Sequence, residues 1–285
     1  MLTDPVIAPR DLAAQQNLVL LDCRPDERAY LAGHVRGAFH AQLERDLSAP
    51  ATEPARGGRH PLPGVETFAA TLTRWGVTPD TQVVAYDEQG GANAAARLWW
   101  MLRAIGHAGV RVVDGGLPAL VAAGHELTTE VPVAPTVPAY PAADYSWPLA
   151  DIEEVERARQ DQARRIIDVR AAFRYRGESE PIDPVAGHIP GAINVPLSEN
   201  LAADGNFKDS TRLRALYAPI FARSPEGAPL PLVGSSPAQT IVHCGSGVTA
   251  CHTLLALERA GLAGAKLYVG SWSEWCRNAE RPRAP

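Results

Sequence analysis

Lysine is nearly missing from this 285-residue chain: Lys208 and Lys266 stand alone among 27 basic residues, the rest being arginine. With 32 acidic residues the net charge is −5, which excludes bulk attraction to nucleic acid or to an anionic membrane. Local arginines can still bind small anions, because the planar guanidinium fork fits oxyanions. Cysteine is also scarce. Cys23, Cys244, Cys251 and Cys276 are too few and too scattered for a disulfide scaffold, and no C-x-x-C pair suggests zinc, so no metal site is expected. No run of about 18 apolar residues is present to span a membrane. The opening stretch MLTDPVIAPRDL carries Asp4 and Asp11 and no long apolar core, so no signal peptide is read and a cytoplasmic location with reduced thiols is expected.

What is present is a repeat. LVLLDCR at 18–24 returns as RIIDVR at 165–170, and GHVRGAFH at 33–40 returns as GHIPGAIN at 187–194. QVVAYD at 82–87 matches QTIVHC at 239–244, and VVDGGLPAL at 112–120 matches LYVGSWSEW at 267–275, all in the same order. Such a pattern is a tandem duplication rather than a solenoid of short repeats. Between the copies, Pro132, Pro135, Pro138, Pro141 and Pro148 preclude a helix and favour an extended connector. The expected organisation is therefore an N-terminal domain at 1–127, a proline-rich linker at 128–148 and a C-terminal domain at 149–285. Short apolar runs (VVAY, RVVD, RIID, TIVH, KLYV) alternate with helical stretches such as 92–105 and 248–260. That alternation predicts α/β domains, each a mostly parallel sheet with helices on both faces and ligands beyond the carboxyl ends of the strands.

The segment TIVHCGSGVTACHTLLALERAG places Cys244 at the end of a strand and just before a helix. Gly245 and Gly247 let the intervening loop curl so that backbone N–H groups point inward, and the helix dipole adds positive potential there. A nest of this kind stabilises a thiolate and any anion bound to it. Three chemistries compete for the loop. Gly245, Gly247 and Ala250 satisfy a G-x-G-x-x-A dinucleotide pattern, but KLYV at 266–269 ends without a ribose-binding acid. His243-Cys244 opens a loop like that of cysteine phosphatases, but Ala250 stands where the phosphate-clamping arginine would be. Sulfur transfer through a cysteine persulfide needs only a nucleophilic thiolate and backbone donors.

CGSGVTA, the paired GHIPGA and SWSEW segments, HPLP at 60–63 and the duplicated Asp-x-Arg strands together resemble the two-domain rhodanese family of sulfurtransferases, over nearly the whole chain. The loop most resembles that of 3-mercaptopyruvate sulfurtransferases, whereas thiosulfate enzymes of the mitochondrial type carry a charged loop. The resemblance implies tandem rhodanese-like domains with Cys244 as nucleophile and Gly245, Ser246, Gly247, Val248 and Thr249 as the cradle of its persulfide. It implies no cofactor, a small anionic sulfur donor (thiosulfate or 3-mercaptopyruvate), and cyanide, a thiol or a thioredoxin-like protein as acceptor. The N-terminal copy departs from the pattern: Asp87 takes the place of Cys244, so this half reads as non-catalytic, covering the mouth of the other's site. A non-enzymatic rhodanese-like binding module is the alternative, and it predicts loss of the nucleophile.

By the same resemblance Arg174, in AAFRYRGESEPIDP at 171–184, grips the donor's anionic group. Asp183 stands where mercaptopyruvate enzymes often have a second arginine, with Arg176 as a possible substitute, so loop and binding segment point to different donors. His60 matches a family histidine that works with an acid, here Glu44 or Asp46, and with Ser246 in proton transfer. The Asp22–Arg24 and Asp168–Arg170 pairs, His34 and His188 read as scaffolding. Cys251 is expected to pack against the sheet, and Trp272 and Trp275 to wall the pocket or fill the core.

Overall fold

The computed structural model describes residues 4–221 and 236–285, so the first three residues of the N-terminal stretch lie outside it. Two compact units are present. The first comprises 1–49, 62–147 and 203–207, and the second 50–61, 148–202 and 208–285. The division is not colinear with the repeat, since twelve residues of the first copy, Pro50–Pro61, belong to the second unit.

The first unit is built on β1 (Val6–Ile7), β2 (Leu18–Asp22), β4 (Ala38–His40), β5 (Gln82–Tyr86) and β6 (Val110–Val113), with a small antiparallel ribbon of β3 (His34–Val35) and β7 (Leu127–Thr128). The second is built on β8 (Leu149–Ala150), β9 (Arg165–Asp168), β10 (Ile193–Asn194), β11 (Thr240–His243) and β12 (Lys266–Tyr268). The five-stranded sheets run β1-β6-β5-β2-β4 and β8-β12-β11-β9-β10, and every pairing in both is parallel. Since β2 and β9, β4 and β10, β5 and β11, and β6 and β12 are repeat partners in the sequence, the two sheets have one topology written twice.

Strands buried on both faces read as unbroken apolar runs, which is why RIID and TIVH show no polar alternation. In the second unit Ile166, Ile241 and Tyr268 share a cluster with Val155 of helix Ile152–Ala158 and with Trp272 and Trp275. The pleat sends Ile167, Val242 and Leu267 to the opposite face, where they are buried and helix Ala250–Arg259 packs on β11 and β12. The chain leaves β9 towards β10 on one side and returns to β11 on the other, so the order reverses between β9 and β11. Open parallel sheets bind ligands at such a reversal, beyond the strands' carboxyl ends.

The scaffold around this point is also written twice. Arg170 makes paired bonds to Asp168 and donates to the Gly187 carbonyl at 2.8 Å, and Arg24 does the same with Asp22 and with the Gly33 carbonyl at 2.7 Å. His188 stacks on Tyr175 with centroids 3.8 Å apart, and His34 on Tyr30 at 4.0 Å. These pairs close the loops after β2 and β9 onto the following Gly-His turns, the structural part read for them in the sequence.

Candidate active site

Cys244 follows β11 directly and is only 1% exposed. Its Sγ accepts the Gly247 N–H at 3.1 Å, so the loop turns back on its own cysteine. That turn needs glycine: Gly247 has φ +75°, and a Cβ there would lie 2.4 Å from the Val269 carbonyl oxygen. The loop is fixed from behind by the start of helix Ser271–Trp275. The Trp272 and Ser273 N–H groups donate to the Cys244 and Gly245 carbonyls at 3.0 and 2.8 Å. Ser271, in the left-handed region at φ +53°, accepts the Cys244 N–H on its hydroxyl at 3.2 Å, and the same oxygen lies 4.0 Å from Sγ. A non-glycine residue held there is strained and persists only where its surroundings over-determine it.

Of the residues expected in the cradle, Val248 is buried and Thr249 stands at the N-cap of helix Ala250–Arg259. Cys251, the second residue of that helix, is buried, its thiol donating to the Gly247 carbonyl at 3.4 Å, so it packs as a core residue. His243 directs Nε2 towards Asp168, 3.7 Å away, and burial lowers its pKa. Trp272 and Trp275 are wholly buried, and the Arg170 guanidinium lies 4.8 Å from the Trp272 ring centroid.

Ser246 faces His60: Oγ and Nδ1 are 2.7 Å apart. His60 comes from Pro50–Pro61, which is seated in this unit by its backbone. The Gly57 N–H donates to the Glu274 carboxylate at 2.7 Å and the Arg59 N–H to Ser273 Oγ at 3.1 Å. Gly58, at φ +78°, lies so close that a Cβ would come within 2.4 Å of the Gly270 carbonyl oxygen. The Gly57-Gly58 pair thus lets this strap lie flat on the turn that braces the cysteine loop. Of the two acids considered as partners for His60, Asp46 is wholly engaged inside the first unit, by Arg45, Arg74 and the Gln42 N–H.

Arg174 lies at the mouth of the loop, held by Glu180 through Nε at 3.0 Å and Nη2 at 2.6 Å. A Cβ on Gly245 would be 3.5 Å from both of its terminal nitrogens. Arg176 is elsewhere: more than half exposed and paired with Glu178, it is not brought to the site. The sequence reading passed over Arg59, whose Nη2 would be 3.3 Å from that same Cβ. It also passed over Glu180, which orients Arg174. The available signals were the adjacency of Arg59 to His60 and the position of Glu180 on the binding segment itself.

In the first unit Asp87 follows β5 as Cys244 follows β11, and its carboxylate fills the corresponding loop. It accepts N–H bonds from Gln89, Gly91, Asn93 and Ala95 at 2.8–3.4 Å. Burial pushes its pKa up, against the pull of those four donors. Backbone N–H groups of the loop thus bond a side-chain carboxyl in one copy and a cysteine sulfur in the other.

The Rhodanese-like domain model matches the chain twice, at residues 9–123 and 151–278. A probable 3-mercaptopyruvate sulfurtransferase of Pseudomonas aeruginosa is 41% identical, over 100% of this chain and 97% of that protein. Thiosulfate sulfurtransferase of Rattus norvegicus is 34% identical, over 90% of this chain and 82% of its own. A crystallised 3-mercaptopyruvate sulfotransferase of Escherichia coli superposes with a TM-score of 0.75 at 30% identity, over 95% of this chain and 99% of that one. Two matched domains, one doubled topology and full-length relatives agree: the chain is a tandem-domain member of the rhodanese family of sulfurtransferases.

Proposed function

We propose that the protein takes sulfur from 3-mercaptopyruvate onto Cys244 and passes it from the persulfide to a thiol or to cyanide. The observation that carries this reading is Cys244 Sγ, at the carboxyl end of the central strand, bonded by a backbone N–H, with arginine beside the next residue, Gly245. The donor's carboxylate docks on Arg174. The Cys244 thiolate attacks the donor sulfur, the sulfur–carbon bond breaks, and its electron pair goes to the methylene carbon. The proton from the donor thiol ends on that carbon, giving pyruvate and an enzyme persulfide anion. Ser246 and His60, in hydrogen-bond contact, carry that proton. Amides of 245–249 hold the outer sulfur, and an acceptor thiolate then removes it, returning the Cys244 thiolate.

Thiosulfate is the second reading, favoured by Asp183 at the position where mercaptopyruvate enzymes often carry an arginine. Its leaving group, sulfite, needs no proton on carbon, so the Ser246–His60 pair would be idle with it. A binding module without a reactive thiol is set aside, since relatives at 34–41% identity carry sulfurtransferase names. All four cysteines are free thiols, which suits a reducing, cytoplasmic setting, and among the described residues no helix is long and apolar enough to cross a membrane.

The test is intact-protein mass spectrometry after brief incubation with 3-mercaptopyruvate. Wild type is expected to gain the mass of one sulfur atom, removable by dithiothreitol, and Cys244→Ser to gain nothing. An unchanged wild-type mass with 3-mercaptopyruvate would remove the reading, and a gain with thiosulfate alone would leave the second reading in its place.

A further inference from the structure

The second cation for the donor is present after all, supplied by a different part of the chain. We infer that Arg59, with Arg174, forms a two-arginine clamp for the donor carboxylate and that Asp183 positions it; this rests on the donor reading above. Asp183 looked like an acid in place of a cation, which would leave the site one positive charge short. In the structure its buried carboxylate gathers arginines. Oδ1 accepts Arg59 Nε at 3.1 Å and Arg277 Nη1 at 2.8 Å, while Oδ2 lies 3.4 Å from Arg59 Nη2 and 3.6 Å from Arg174 Nη2.

The consequence is geometric. Guanidinium nitrogens of Arg59 and Arg174 approach Gly245 to 3.3 and 3.5 Å of the Cβ that residue does not have. Gly245 is the residue after the nucleophile, so both forks stand beside the position an anionic donor must take to present its sulfur to Cys244. Arg59 is about three-quarters buried and Arg174 more so. Each is oriented by a carboxylate that is almost wholly buried, Asp183 for one and Glu180 for the other. A fork fixed in this way loses little freedom on binding, and charge-assisted bonds to it are shorter and stronger than neutral ones. Arg277, by contrast, turns Nη1 to the Ser273 carbonyl as well as to Asp183, so it braces Asp183. The strap that brings His60 to Ser246 therefore also brings the donor's second cation.

The experiment measures persulfide formation against donor concentration, using 3-mercaptopyruvate and its uncharged methyl ester, with Arg59→Gln, Arg59→Lys and Arg176→Gln. The clamp predicts that Arg59→Gln raises the half-saturating concentration of the carboxylate by about tenfold and leaves that of the ester within about twofold. Arg59→Lys should recover part of the loss, and exposed Arg176→Gln should behave as wild type. Equal weakening towards both donors, or none towards either, would overturn the clamp. Failure of wild type to form a persulfide would instead remove the donor reading itself.

Discussion

In the proposed reaction Ser246 and His60 are side chains whose contribution to proton transfer depends on the donor. When carbon is the leaving atom a proton must reach it, and when sulfite leaves none is needed. With Oγ and Nδ1 at 2.7 Å, removal of the hydroxyl breaks the relay while leaving Cys244 and its Gly247 N–H bond in place. Ser246→Ala is therefore expected to lower kcat for 3-mercaptopyruvate by about a hundredfold, the scale of one general acid–base contribution, and to leave thiosulfate turnover within a few fold. Equal loss with both donors in steady-state assays would show the hydroxyl to be structural. Cys244, Arg174 and His60 each lie in a local motif, and the structure gathers them around one loop. Arg59 was not legible in the sequence: its relation to Asp183 joins residues 124 positions apart and exists only after the strap is seated.

The loop between β11 and helix Ala250–Arg259 works as one element, because the Gly247 N–H meets Cys244 Sγ with Gly247 in the left-handed region. Gly247→Ala adds a methyl 2.4 Å from a carbonyl oxygen at φ +75°, so the backbone must shift. The left-handed penalty alone is about 1–2 kcal/mol. We expect a lower Tm and loss of persulfide formation, since the shift displaces the N–H bonded to Sγ. Unaltered persulfide kinetics in stopped-flow measurements would mean that the loop tolerates other shapes. Elements of this kind were easy to read. Apolar runs marked the parallel strands, and the helices expected at 92–105 and 248–260 occur at Ala94–Ala104 and Ala250–Arg259. Short pieces such as helix Ala172–Tyr175 carry too little periodicity to be seen; this one is tied down through Tyr175, bonded to Ala192 and His188.

Across the whole molecule, one topology appears twice and its loops have diverged. In the first unit the carboxylate of Asp87 already occupies the inward-facing amides, and nearby Cys23 is no substitute nucleophile. Burial pushes its thiol pKa well up, and Asp87, Asp22 and Asp46 push it further. Burial likewise raises Cys276 in the second unit. Saturating donor is therefore expected to load a single sulfur per chain, and peptide mapping should find it on Cys244 with Cys23 and Cys276 unmodified. A second sulfur on a first-unit peptide would contradict this account of the asymmetry. The duplication could be read directly from the paired motifs, with Asp87 opposite Cys244. The interleaving of the units could not, because the residues that seat Pro50–Pro61, among them Glu274 and Ser273, lie more than 200 positions away.

The strap also bears on heredity. A duplicated gene with one silent copy would ordinarily be free to discard it. Here the copy with Asp87 encodes His60 and Arg59, and a deletion reaching from its start to the connector would take both from the second unit while leaving Cys244 untouched. Such a deletion is therefore expected to cost sulfur transfer, even though the copy it removes has Asp87 where the other has its cysteine.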